Sequence, residues 1–183
     1  MKLKRTCGCI ATVILVSGIG LSGQALDPKL AFLEPLVNRD WRGMMTAPDG
    51  SAEWETTCRF ETAWAGKVIR YSRATPVRAS YEEGFIYWDD TVRKPAFFFI
   101  HSGGVFRTGF VSAADGVVTF EGRMTWPSPP ADPGIKQRYD FRNTFEFTSS
   151  SEMTDRWFQN AFGPWRPGHV VTFKAEERTS GSR

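Results

Sequence analysis

The sequence predicts an all-β protein, a single up-and-down antiparallel β-barrel of about ten strands preceded by a short N-terminal helix. Three observations predict it. From Trp41 onward, apolar and polar residues alternate with a period of two. Short Gly-bearing turn signals recur between the alternating runs. No internal repeat or low-complexity block divides a chain about one domain long.

The N-terminus comes first in the chain and sets the compartment. Met1-Lys2-Leu3-Lys4-Arg5 is basic, and Cys9 to Leu21 is apolar or small. Gly23-Gln24-Ala25 then places small residues where a signal peptidase needs them. Residues 1–25 therefore predict a secretory signal peptide cut after Ala25, with the mature protein in the periplasm or secreted. A retained anchor is the rival reading, but the apolar run is shorter than the ~20 residues that span a bilayer. No stable membrane anchor is expected after cleavage. Lys2, Lys4 and Arg5 leave with the signal, so the 23 basic residues of the whole chain fall to match its 20 acidic ones. Without a basic excess there is no electrostatic footprint for nucleic acid. Cys58 is then the one cysteine left, so no internal disulfide forms. A small buried hydrophobe is its ordinary role.

Residues 26–178 are the predicted barrel domain and 179–183 a C-terminal tail. Asp27-Pro28 caps and opens a helix, because proline has no N–H to lose at the first helical position. Leu30, Leu33 and Val37 recur at helical spacing, and Pro35 limits the helix to a couple of turns. The strands are expected near 41–47, 53–64, 67–74, 82–90, 95–101, 105–112, 117–126, 137–148, 152–160 and 169–178. In the second, Trp54, Cys58, Phe60 and Trp64 share one face, with Glu53, Glu55, Arg59 and Glu61 on the other. Phe120, Met124 and Trp126 in the seventh, and Tyr139, Phe141 and Phe145 in the eighth, alternate with charged and hydroxyl residues in the same way. Asp49-Gly50, Ala65-Gly66, Ser102-Gly103-Gly104 and Asp115-Gly116 read as hairpin turns. Longer connections fall at Pro76–Ser80, Pro127–Gly134 and Gly163–Gly168. Successive hairpins make a meander, and closing it removes both exposed edges. A β-sandwich is the second choice. A closed barrel of eight or more strands has room inside for one small ligand.

Catalytic chemistry has little support. His101 and His169 are the only histidines, and no G-x-S-x-G elbow is present. Glu82-Glu83 and Asp89-Asp90 read as solvated strand ends and turns. Gly103-Gly104 lacks the other glycines of a phosphate loop. His169 shares a strand parity with Val171, Phe173 and Ala175, which points it inward near one barrel mouth. There it could hydrogen-bond a ligand or bind a metal, or simply bond a backbone carbonyl. Seven tryptophans and fifteen phenylalanines supply the core. Trp165, in a Pro- and Gly-flanked loop, is the exception and reads as a rim aromatic. The candidate ligand-binding residues are thus His169, Trp165, Phe173 and Trp126.

Asn38-Arg39-Asp40-Trp41-Arg42-Gly43, after a short helix and opening the first strand, resembles the first-strand signature of the calycins. These include lipocalins, fatty-acid-binding proteins and haem-binding nitrobindin-like proteins. Trp41-Arg42-Gly43 matches the W-[RK]-G portion, with Arg39 where the pattern has a leading glycine. Arg178 resembles the arginine that packs over this tryptophan across the barrel floor. The stretch from Gly84-Phe85-Ile86-Tyr87-Trp88-Asp89 to Arg138-Tyr139 also looks like uncharacterised lipocalin-like envelope proteins. The resemblance implies an exported barrel that binds a hydrophobic or amphipathic small molecule. Its nitrobindin-like branch would instead imply haem, with His169 as the iron ligand. An envelope module with a filled barrel and no ligand is the third reading, and the residues point to no particular enzyme activity. Intact-mass measurement of protein recovered from the cell envelope should give a chain beginning at Leu26; a retained N-terminus on membrane-bound protein would reject cleavage.

Overall fold

The computed structural model describes residues 25–126 and 137–176. The predicted signal, the Pro127–Gly134 connection, Arg178 and the tail lie wholly or almost wholly outside the described residues. Ten strands follow one another: β1 (Arg39–Thr46), β2 (Glu53–Ala63), β3 (Val68–Thr75), β4 (Ser80–Asp89), β5 (Lys94–His101), β6 (Phe106–Ala114), β7 (Val117–Thr125), β8 (Arg138–Ser149), β9 (Glu152–Gln159) and β10 (Arg166–Glu176). Each pairs antiparallel with its sequence neighbours, and β1 pairs with β10 to close the barrel. The predicted up-and-down barrel is what forms, with every strand in its expected place.

The segment before β1 is a 3-10 helix, Pro28–Leu33, rather than an α-helix. The Asp27 carboxylate accepts the Lys29 N–H at 2.9 Å. Pro35, which has no N–H to donate, follows too soon for α-helical bonding to establish itself. Leu30, Leu33 and Leu36 have no exposed surface. They close one end of the barrel against Trp41, whose indole N–H donates to the Leu36 carbonyl at 3.0 Å. Arg39, at the place where the calycin pattern has glycine, lays its guanidinium 5.9 Å from the Trp41 ring and donates to the Ser150 carbonyl.

Above this floor the lower barrel is filled with rings. Tyr71 stacks on Phe99 at 4.4 Å, and Phe120 meets Phe97 and Phe145 edge-on at 5.4 and 5.5 Å. Offset and edge-to-face contacts of this kind add to the area such rings bury. Ten strands of bulky residues still need sharp local curvature to close. Gly109 and Gly122 face each other across β6 and β7, and a Cβ on either would fall about 2 Å from a carbonyl oxygen of the other strand. Their lack of side chains lets the two strands approach that closely.

Two expectations are corrected. Trp64 does not face inward. β2 ends at Ala63, and Trp64, Ala65 and Gly66 all take positive φ in the turn, so Trp64 swings outside and is 72% exposed. Glu82 is not a solvated strand end but is buried inside the barrel. A Trp41→Phe exchange should destabilise the fold by about 1–3 kcal/mol, since it strips the buried Leu36 carbonyl of its donor; denaturant unfolding with an unchanged midpoint would show that the bond does not matter.

Candidate functional site

Strand register assembles the site. Directly opposed residues of neighbouring strands share a face, and one inward row runs Trp41, Cys58, Arg73, Glu82, His101 across β1 to β5. The row climbs from the floor to the other end of the barrel, because barrel strands tilt. That end is the mouth, ringed by the turns after β1, β3, β5 and β9. It holds a cavity of about 400 Å³.

Two buried ion pairs form the cavity's base. The Arg73 guanidinium donates to Asp155 Oδ2 at 2.7 Å, and the amide of Asn143 donates to Asp155 Oδ1. Burial works against the charge on Arg73, but the groups around it, Asp155 foremost, together outweigh burial and its pKa rises. Arg107 grips Glu82 with both Nε, at 2.5 Å, and Nη2. Burial lowers the Arg107 pKa to about 10, so it stays charged at neutral pH. Its guanidinium also lies 4.9 Å from the Trp157 ring and 5.3 Å from Phe141. Bidentate pairing and aromatic faces are what a buried guanidinium needs. Arg78, on the exposed turn after β3, makes no ion pair among the described residues and rests 4.4 Å over Trp54.

His169 lines the cavity from a bulge in β10. Pro167 pairs with Phe158 and Val170 with Arg156, so Gly168 and His169 together oppose Trp157. Gly168 makes room for the indole, since a Cβ there would meet Trp157 Cδ1 at 2.4 Å. Phe141, Trp157 and His169 then form a near-parallel stack, at 4.7 and 5.8 Å. His169 Nε2 sits 3.5 Å from Arg73 Nη2 and 3.9 Å from Asp155 Oδ2. Burial and the neighbouring Arg73 press its pKa down to about 3, so the ring is neutral.

His101 faces the same cavity. The Gly103 N–H donates to Nδ1 at 3.0 Å, which leaves the proton on Nε2. Nε2 therefore donates to Ser80 Oγ at 2.9 Å. A histidine in this tautomer cannot take the serine's proton, so Ser80 and His101 are not a nucleophile–base pair. Cys58 is buried, and that burial raises its thiol pKa, which removes it as a nucleophile at neutral pH.

Of the residues singled out from sequence, Trp126 and His169 line the cavity. Phe173 lies deeper, fully buried, with the Arg73 guanidinium 5.7 Å from its ring. Trp165 turns to the outer wall, where Arg142 of β8 lies 5.7 Å over it, because it precedes β10 on the outward side. The four buried charges were missed. The signal was present: Arg73 follows Ile69 and Tyr71 in parity, Asp155 lies between Met153 and Trp157, and Arg107 shares parity with Val105 and Val111.

For an iron porphyrin His169 would be the protein ligand, and its Nε2 is the nitrogen that the Arg73 guanidinium approaches at 3.5 Å. Among solved structures, the chain is similar to the crystal structure of Rv2717c from M. tuberculosis, with a TM-score of 0.59 and 15% sequence identity over 84% of this chain and 100% of that chain. At that identity the likeness shows the shared barrel fold alone. No family model and no curated protein matches the sequence.

Two outcomes follow from the buried charges. Asp155→Leu should cost about 3–5 kcal/mol, because it leaves Arg73 buried without its partner; replacing both, as Arg73→Met with Asp155→Leu, should recover most of that in the same unfolding measurement. His169 is held neutral in the fold but protonates at its ordinary value of 6.5 when unfolded. The unfolded chain then binds more protons between about pH 3 and 6.5, so stability falls as pH drops through that window. The slope should be at most about 1.4 kcal/mol per pH unit and should be absent in His169→Gln; an identical pH profile for both proteins would exclude His169 as its source.

Proposed function

We propose that this chain is an exported calycin-type barrel that binds one small amphipathic molecule, carrying an anionic group, in the mouth cavity. One observation carries the reading: the cavity is two-sided. Going round the barrel, β3 to β6 contribute Arg73, Arg78, Ser80, Glu82, His101 and Arg107, and β7 round to β1 contributes Met124, Trp126, Tyr139, Trp157 and Met45 with the uncharged Gln159 and His169. An arc that carries all the cavity's charged side chains faces an uncharged arc rich in methionine and aromatic rings. Methionine adapts to varied apolar shapes, and a few fixed polar groups orient a ligand.

The anionic group follows from the charge balance. Glu82 and Asp155 each neutralise one buried arginine, and the two cavity histidines have lowered pKa values. Arg78 is the charge left over. The indole N–H of Trp126 lies beside the Tyr139 hydroxyl without forming a well-aligned hydrogen bond, and is a second donor on the apolar side. The hydrophobic or amphipathic ligand expected from sequence is thereby narrowed to an amphipathic one with a charged end. A pocket of about 400 Å³ suits a drug-sized molecule. Export to the periplasm or beyond belongs to the same proposal and rests on the order of residues 1–25.

Anilinonaphthalene sulfonate, an amphipathic anion, should bind one per chain and be quenched or sensitised by the cavity tryptophans. N-phenylnaphthylamine, its neutral counterpart, should bind more weakly. Arg78→Gln should weaken the anion about tenfold, the lower end for a charge-assisted hydrogen bond, and leave the neutral probe unchanged. Equal affinity for both probes in the unaltered protein would sink the anionic part, and no saturable binding of either would sink the whole reading.

A further inference from the structure

The outer wall carries a second feature that the cavity does not use. Outward positions of a barrel in water alternate as polar residues, and most of this one does so, with Arg–Glu and Arg–Asp pairs along β1, β2, β7 and β8. The β4–β6 flank breaks the rule. Phe85, Phe98, Ile100, Phe106 and Phe110 all point outward there, and Trp64 from the β2–β3 turn folds across β3 to stack on Phe85 at 5.9 Å. The strip is continuous: Phe85 is the register partner of Phe98, which stacks on Phe106, itself the partner of Ile100. Large contiguous apolar patches on a water-facing surface mark interaction sites.

We infer that this flank is a docking surface for an anionic lipid bilayer, with the Trp64 turn inserted deepest. Two observations choose lipid over another occupant. Trp64 is 72% exposed at the tip of a turn, where an amphipathic ring enters the headgroup region. Lys67 and Arg93 in the turns beside it, and Lys94 at the start of β5, have no ion pair among the described residues. The acids of those turns are engaged: Asp90 with Lys29, and Asp89 with the backbone N–H groups of Thr91 and Val92. The contact is peripheral, since the outward faces of β1, β2, β7 and β8 carry charged pairs in place of apolar residues. The Trp64 turn lies at the barrel end opposite the mouth, so this surface is separate from the cavity and does not depend on the ligand proposed above.

The test uses the full chain with vesicles of brominated phosphatidylglycerol and phosphatidylethanolamine. Part of the tryptophan fluorescence should be quenched, and that part should vanish in Trp64→Phe. Reversal of the three cations, as Lys67→Glu with Arg93→Glu and Lys94→Glu, should abolish the Trp64 quenching even if the N-terminal segment holds the chain on the vesicle. Near-membrane cations each strengthen binding severalfold, so without that segment the partition coefficient should fall at least tenfold. Unquenched Trp64 in vesicle-bound protein would overturn the inference. So would sedimentation showing a dimer in solution that Phe85→Ser dissociates, which would assign the flank to a second copy of the chain.

Discussion

A guanidinium taken out of water costs several kcal/mol unless a carboxylate meets it in good geometry and its remaining N–H groups find partners. This barrel buries two. Arg73 is met by Asp155 and Arg107 by Glu82, and the side chains around them are arranged to complete those pairs. Asn143 takes the second oxygen of Asp155. Phe99, Phe141 and Trp157 offer ring faces to Arg107. Even the bulge in β10 serves them, because Gly168 makes the space in which Trp157 lies flat between Phe141 and His169. A single uncompensated change in this layer is therefore more damaging than the loss of a surface pair.

The layer also divides the interior. Below it, leucines of the 3-10 helix and a cluster of phenylalanines fill the barrel, with no unpartnered buried side-chain polar atom there among the described residues. Above it, the same strands surround a cavity with charged side chains on one wall and methionine and aromatic rings on the other. Apolar side chains packed over that buried charge would raise its desolvation cost. The polar layer is thus both a structural expense and the base of the cavity above it.

Much of this was legible in the sequence. Period-two alternation located all ten strands, and Gly-bearing turns placed the hairpins between them. Phe60, Phe120, Phe141 and Phe145 were correctly assigned to the interior by parity alone. His169 and Trp126 were also recognised as residues of interest, and both line the cavity. Trp165 was misplaced by its loop composition, which says that a residue is near a barrel end but not which side of the wall it takes. Trp64 was misplaced because parity was carried one residue past the end of β2, into a turn of positive φ. Glu82 reads from sequence as a solvated strand end, and Arg73, Arg107 and Asp155 were not singled out, although each of the four sits on the apolar parity of its own strand.

The sequence by itself determined the fold class, the strand order and the inward faces, because these rest on local periodicity and turn chemistry that each segment carries alone. Only the tertiary structure decided which charges meet. Arg73 and Asp155 are 82 residues apart and lie on strands that do not pair, so no local pattern joins them. Barrel closure brings β3 and β9 to face one another across the interior, and the pairing energy of buried opposite charges then fixes the site. The tautomer of His101, the stack on His169 and the outward aromatic flank depend in the same way on which strands become neighbours.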